Sequence, residues 1–98
     1  MTREEVMDLY KRLIHRYGEK QIVVAIEELS ELQKELCKSL RGKTNRENII
    51  EEIADVLIML DQVILYYGLD QQEIQKAVEY KIKRTKERLL EEVNENTK

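Results

Sequence analysis

Apolar residues recur along this chain at helical spacing, and the recurrence is broken three times. Val6, Leu9, Tyr10, Leu13 and Tyr17 follow one another at i, i+3, i+4, i+7 steps, the mark of a helix with one buried stripe. Ile22, Ala25, Ile26, Leu29, Leu36 and Leu40 trace a second stripe. Ile74, Ala77, Val78, Ile82 and Leu89 trace a third, extended by Thr85 and the stem of Lys81. The stretch between them is different. Ile49, Ile50, Ile53, Val56, Leu57, Leu60, Val63 and Ile64 form one broad apolar face, and Ala54, Ile58 and Leu65 form another. A helix apolar on two sides needs neighbours on both, more than one short chain supplies. The pattern therefore predicts a homo-oligomer, a dimer at the least, with this helix near the interface.

The breaks are Gly18, Gly42 and Gly68, each placed where a helix ends in a left-handed residue. The starts are marked by an N-cap residue and an acidic partner three positions on: Thr2 with Glu5, Thr44 with Glu47, and Asp70 with Glu73. No good cap precedes Gln21. These signals predict helices over about 3–17, 20–40, 45–67 and 71–93, with a frayed tail over about 94–98. There is no proline to interrupt any of them. The expected fold class is all-α, a four-helix bundle forming a single domain over residues 1–98.

Carboxylates intrude on the apolar design. Glu28 and Glu31 lie three residues apart beside the main face of the second helix, and Glu35 continues their strip. Glu52 and Asp55 do the same on the third helix, in line with Met59 and Gln62. The short link RGKTN makes the two helices an antiparallel hairpin. Glu31 stands 11 residues before Gly42 and Glu52 stands 10 after it, so the two pairs fall at nearly the same height and face each other. Four carboxylates at one level repel unless protonated or neutralised by a cation. Oxygen ligands without nearby His or Cys suit a hard ion, Mg²⁺ or Mn²⁺. The single His15 is far off on the first helix, which argues against a di-iron centre. Glu27, Glu35 and Glu51 are read as solvent-facing or paired with lysines.

Composition narrows the function classes. The chain is 38% charged with a net charge of −3, which gives no general drive toward nucleic acid or an anionic membrane. Its longest apolar run, Val56 to Leu60, is too short to span a bilayer, and MTREEVMDLY has no signal-peptide character. Cys37 stands alone and reads as a structural thiol beside an apolar face. A cytoplasmic location is expected.

The double acid motif, EELSEL at 27–32 and EEIADVL at 51–57, resembles that of the MazG-type all-α nucleotide pyrophosphohydrolases. That family pattern is E-x-x-E, then E-x-x-D about twenty residues on, each pair preceded by an extra Glu. The resemblance implies a Mg²⁺-dependent hydrolase that cleaves a nucleoside triphosphate between its α and β phosphates, giving the monophosphate and pyrophosphate. It implies Glu28, Glu31, Glu52 and Asp55 as metal ligands. It also implies phosphate contacts from Lys81 and Arg84 in EYKIKRTKERL, with Arg88 a weaker match. Lys43 and Arg46 from the hairpin link are additional candidates for phosphate charge. Glu27 or Glu51 is the acid expected to take a proton from the attacking water, with the choice between them open. Met59, Ile22 or a tyrosine of the first helix are candidates for the base pocket.

Departures from the family pattern bear on substrate choice. Glu79 and Tyr80 precede Lys81 where several members have Asn, and Asn48 stands where some have a basic residue. Ile58 and Met59 follow the second acid pair in place of the Tyr-His usual in phosphoribosyl-ATP pyrophosphatases, which leaves that activity as an alternative. A non-enzymatic helical scaffold is the other alternative. Nucleic-acid binding through KIKRTKER at 81–88 is opposed by the net charge and the acid strip.

Overall fold

The structure, a computed structural model, describes residues 1–96. They form four α-helices: α1 (Arg3–Tyr17), α2 (Lys20–Leu40), α3 (Arg46–Tyr66) and α4 (Gln71–Asn96). No strand occurs among the described residues. The chain divides into two compact units, Met1–Gly68 and Leu69–Lys98.

In the first unit α2 and α3 pack closely along their lengths, and α1 lies against both. Local signals fix the helix ends. The Thr2 hydroxyl accepts a hydrogen bond from the Glu5 amide (3.1 Å) and donates to the Glu5 carboxylate (3.3 Å), as the capping pair predicts. The α2–α3 link closes differently from expectation. Asn45 is the cap of α3, its side chain accepting from the Asn48 amide at 3.0 Å. Thr44 instead exchanges a hydrogen bond with Ser39 at 2.7 Å, across the turn. Gly42 explains the geometry: at φ 84° it lets its own amide reach Ser39 O and the Lys43 amide reach Lys38 O, satisfying two carbonyls at the end of α2. The uncapped start of α2 is also real. Glu19 has helical backbone angles and caps nothing with its side chain, so α2 follows α1 after a tight turn at Gly18.

The α2–α3 seam is not where the apolar periodicity puts it. On α2 the inward positions are Gln21, Ala25, Glu28, Leu32 and Glu35, and on α3 they are Ile49, Glu52, Val56, Met59 and Gln62. Of these Ala25, Glu35, Val56, Met59 and Gln62 are fully buried, and α1 adds Tyr10. Gln21 Nε2 donates to Gln62 Oε1 at 2.6 Å across the seam, and Arg3 reaches Asp61 at 3.1 Å to tie α1 to α3. Ala25 and Val56 are inside as their stripes predict, but most of the residues expected with them lie outside. Ile26, Leu29, Leu36 and Leu40 of α2 are exposed, as are Ile50, Ile53, Leu57 and Leu60 of α3, with Ile26 and Leu57 about 60% accessible. Both stripes stand one residue ahead of the seam positions. In antiparallel helices that rotation turns both toward the same side, so the hairpin carries one continuous apolar face.

The second unit holds α4. Asp70 starts it, its carboxylate accepting from the Gln72 amide at 2.8 Å, one position earlier than the expected Glu73. The helix continues through residues 94–96, where fraying is expected, because no Gly or Pro stops it; residues 97 and 98 lie outside the described residues. None of its residues is fully buried, and Val78, Ile82, Leu89 and Val93 leave an apolar stripe exposed. No helix among the described residues is long and apolar enough to cross a membrane.

The capping geometry gives a direct test. Asn45→Ala should lower stability to urea by about 1 kcal/mol, the usual worth of an N-cap side chain. Thr44→Val should cost less than half as much, because its hydroxyl bonds only Ser39. The reverse order would return the cap to Thr44.

Candidate metal centre

The antiparallel register carries the acids to one another. With Gln21 against Gln62, positions 28 and 55 fall level, and positions 31 and 52 lie about one helical turn nearer the link. Glu28, Glu52 and Asp55 each offer a carboxylate oxygen, and the three oxygens lie within 4.8 Å of one another. Glu28 and Glu52 are half-buried in the seam and Asp55 is exposed at its edge. The cluster therefore opens on the side of the hairpin away from the apolar face.

Glu31 is the fourth acid expected here. It is exposed and lies outside the 4.8 Å group, yet its charge acts on both Glu28 and Glu52. The structure thus gathers three of the four proposed ligands within coordinating distance and keeps the fourth in electrostatic reach. The reason is angular: Glu31 is turned off the seam toward solvent, whereas Glu28, seven residues from Glu35, shares the seam with it.

Two carboxylates are held protonated more tightly than usual. Glu28 is raised above 4.5 by desolvation first, then by the charges of Asp55 and Glu52, and by a side-chain hydrogen bond with Asp55. Glu52 is raised by desolvation first, then by Asp55, Glu31, Glu35 and Glu51. Its Oε2 is buried and has no hydrogen-bond partner among the described residues. A buried carboxylate oxygen without a donor is costly, and a proton or a cation would satisfy it.

The other candidates are placed as follows. Glu27 and Glu51 are exposed, and Glu51 is near enough for its charge to act on Glu52. Lys43 and Arg46 are exposed on the link and at the start of α3. In the second unit Lys81, Arg84, Thr85 and Arg88 line a shallow depression of about 240 Å³ on one face of α4. The Arg84 guanidinium lies 5.8 Å from the centre of the Tyr80 ring, and the Thr85 hydroxyl donates to Lys81 O at 2.8 Å. Met59 is buried and Ile22 half-buried, while His15 and Cys37 are exposed.

Glu35 departs from expectation. It is paired with Lys38 at 3.4 Å, one of the expected outcomes, but it is also the one fully buried acid among the described residues, 7% accessible. The Gln21–Gln62 pair also escapes sequence reasoning. One signal was present: Glu28 and Glu35 are seven residues apart, so a helix that turns one toward its neighbour turns the other there too.

Comparison with protein-family models, curated proteins and solved structures returns no match.

The acid cluster makes stability depend on pH with a definite sign. A carboxylate raised in the folded state binds more protons there than when unfolded. Glu28 and Glu52 therefore favour folding below about 4.5, and that contribution is lost as pH rises through their raised values. In EDTA, Glu52→Gln should flatten the decline in urea midpoint above this point. An unchanged slope would mean that Glu52 does not titrate in the folded protein.

Proposed function

We propose that the protein is a metal-dependent nucleoside triphosphate pyrophosphohydrolase of the MazG-like kind, and that Glu28, Glu31, Glu52 and Asp55 hold its Mg²⁺. The observation that carries this reading is the convergence of carboxylate oxygens of Glu28, Glu52 and Asp55 within 4.8 Å, beside which Glu52 keeps a buried oxygen with no hydrogen-bond partner among the described residues. An all-oxygen, all-anionic set fits a hard divalent cation, with Mn²⁺ as the alternative ion.

The bound ion supplies positive charge to the triphosphate oxygens and acidifies a water molecule. Glu28, Glu52 and Asp55 would hold it, with Glu31 as the fourth acid of the set. Water attacks the α-phosphorus, the bond to the bridging oxygen breaks, and that oxygen leaves with pyrophosphate. Glu27 or Glu51 accepts the proton, both being exposed acids one residue before a ligand. Phosphate contacts are assigned to Lys81 and Arg84, which share the basic face of α4. Phosphoanhydride hydrolysis is mostly charge neutralisation and positioning, which is what such a residue set provides.

The same reading includes self-assembly, as a homodimer or homotetramer. It is supported by the continuous apolar side of the hairpin, where Ile26, Leu29, Ile53 and Leu57 stand within one or two turns of each other and all are exposed. Full burial of each such side chain is worth about 1.5–3 kcal/mol, so a second hairpin laid face to face is a strong source of stability.

Pyrophosphate release from a panel of ribo- and deoxyribonucleoside triphosphates, with Mg²⁺ and with EDTA, tests the activity. Metal-dependent formation of monophosphate and pyrophosphate is expected. Glu52→Gln and Asp55→Asn should each lower turnover by at least about a hundredfold while the helical circular dichroism is kept. No release from any substrate, with a melting temperature indifferent to Mg²⁺, would favour a non-enzymatic scaffold. Assembly has its own test: Leu57→Glu should shift the sedimentation-equilibrium mass toward that of the single chain. An unaltered oligomer would place the interface elsewhere.

A further inference from the structure

We propose that α4 is a self-association surface, pairing antiparallel with α4 of a second copy of this chain. The inference stands on α4 alone and does not rest on the metal reading. None of this helix's 26 residues is buried, and Ile82 and Leu89 are 64% and 58% exposed. A helix draws most of its stability from packing its apolar stripe, so this one calls for a cover. The surface shows the shape of that cover. Val78, Lys81, Ile82 and Thr85, at i, i+3, i+4 and i+7, line an apolar depression of about 320 Å³. Four residues at that spacing form the hole that receives one side chain of a facing helix. Lys81, Arg84, Thr85 and Arg88 repeat the spacing around the adjoining basic depression. What fits such a surface is another helix.

Charge decides which helix, and in which direction. Along one flank of the stripe Lys81, Arg84 and Arg88 come first, and Glu92 and Glu95 follow. None of the five forms an ion pair among the described residues. The other flank carries Glu79, Lys83 and Lys86. In a parallel pair opposite flanks meet at equal heights, setting Arg84 and Arg88 against Lys83 and Lys86. In an antiparallel pair each flank meets its own copy reversed, so basic positions can meet acidic ones. Seating Val93 of one helix in the hole of the other fixes the register. Thr85 then falls level with Leu89, and Lys81 and Arg84 lie beside Glu95 and Glu92 of the second copy. Only Arg88, near the two-fold axis, meets its own copy. The head groups of Lys81 and Arg84 stay at the rim on their long stems, where phosphate still reaches them.

The test uses the full chain with Cys37→Ser, which removes its single thiol. Arg88→Cys or Lys81→Cys is then added, both at exposed positions, and each protein is treated with a short bismaleimide. Position 88 lies near the axis, so Arg88→Cys should shift to twice the chain mass on a denaturing gel. Position 81 is about 20 Å along the helices from its own copy, so Lys81→Cys should stay at the single-chain mass. Equal linking at both positions would mean a parallel pair, and linking at neither would mean that something else covers α4; either result overturns the proposal. Charge supplies a second readout. Glu92→Lys with Glu95→Lys should lower the yield of linked Arg88→Cys, and adding Lys81→Glu with Arg84→Glu should restore it. A yield indifferent to the first pair, or not restored by the second, would sink the register. Because Leu57→Glu reports on the hairpin face and these variants on α4, the two interfaces fail separately.

Discussion

The hairpin depends on polar groups placed where two helices meet. Along the α2–α3 seam, Gln21 bonds Gln62, Glu28 comes up against Glu52 and Asp55, and Glu35 is buried with Lys38 of its own helix as partner. The apolar residues at the seam positions are Ala25, Leu32, Ile49, Val56 and Met59. An apolar seam tolerates a slip of one turn between helices; this one does not, because a slip would strand buried amide and carboxyl groups without partners. Register is thus fixed by polar matching, and the acid cluster is a consequence of that register. The cost is a thin core. No side chain among the described residues falls below 2% accessibility.

That thin core explains the rest of the hairpin's surface. Aliphatic side chains that an ordinary bundle would turn inward, such as Ile26, Leu29, Ile53 and Leu57, face outward on one side. The acids open on the other. A hairpin built this way separates two tasks: one face is left for burial against other apolar surface, and the opposite face for charge. Neither face is satisfied by water alone, since apolar side chains gain by being covered and crowded carboxylates gain by being neutralised.

Helix boundaries were legible in the sequence because they are set locally. Gly18, Gly42 and Gly68 end helices by adopting positive φ, and Thr2 and Asp70 begin them with one side-chain bond each. The link was misread by one residue, since Thr44 and Asn45 are both good caps and only the Ser39 hydroxyl decides which is released for the task. The pairing of Glu28 with Glu52 and Asp55 was legible too, from counting residues on either side of Gly42. What periodicity could not reveal was which face meets the partner helix. It reports where apolar side chains lie, and the tacit step from apolar to inward fails when the covering surface is not in the same hairpin. Glu35 was misplaced by that step. Once the seam rather than the apolar stripe is taken as the inside, its burial follows from its spacing to Glu28.

The placement of Glu35 bears on why this seam tolerates so many acids. A cluster of carboxylates at a helix surface would spread apart, each rotating toward water, and would offer an ion no fixed geometry. Here the register holds Glu28 and Glu52 in the seam, with Glu35 buried about one turn nearer the link and paired with Lys38. Desolvation first, and repulsion from Asp55 and the neighbouring acids second, raise the proton affinity of Glu28 and Glu52. A proton relieves that repulsion at low pH. Near neutrality, where protons are scarce, the proposed divalent cation would take their place, because such an ion meets several carboxylates at once where a proton meets one or two.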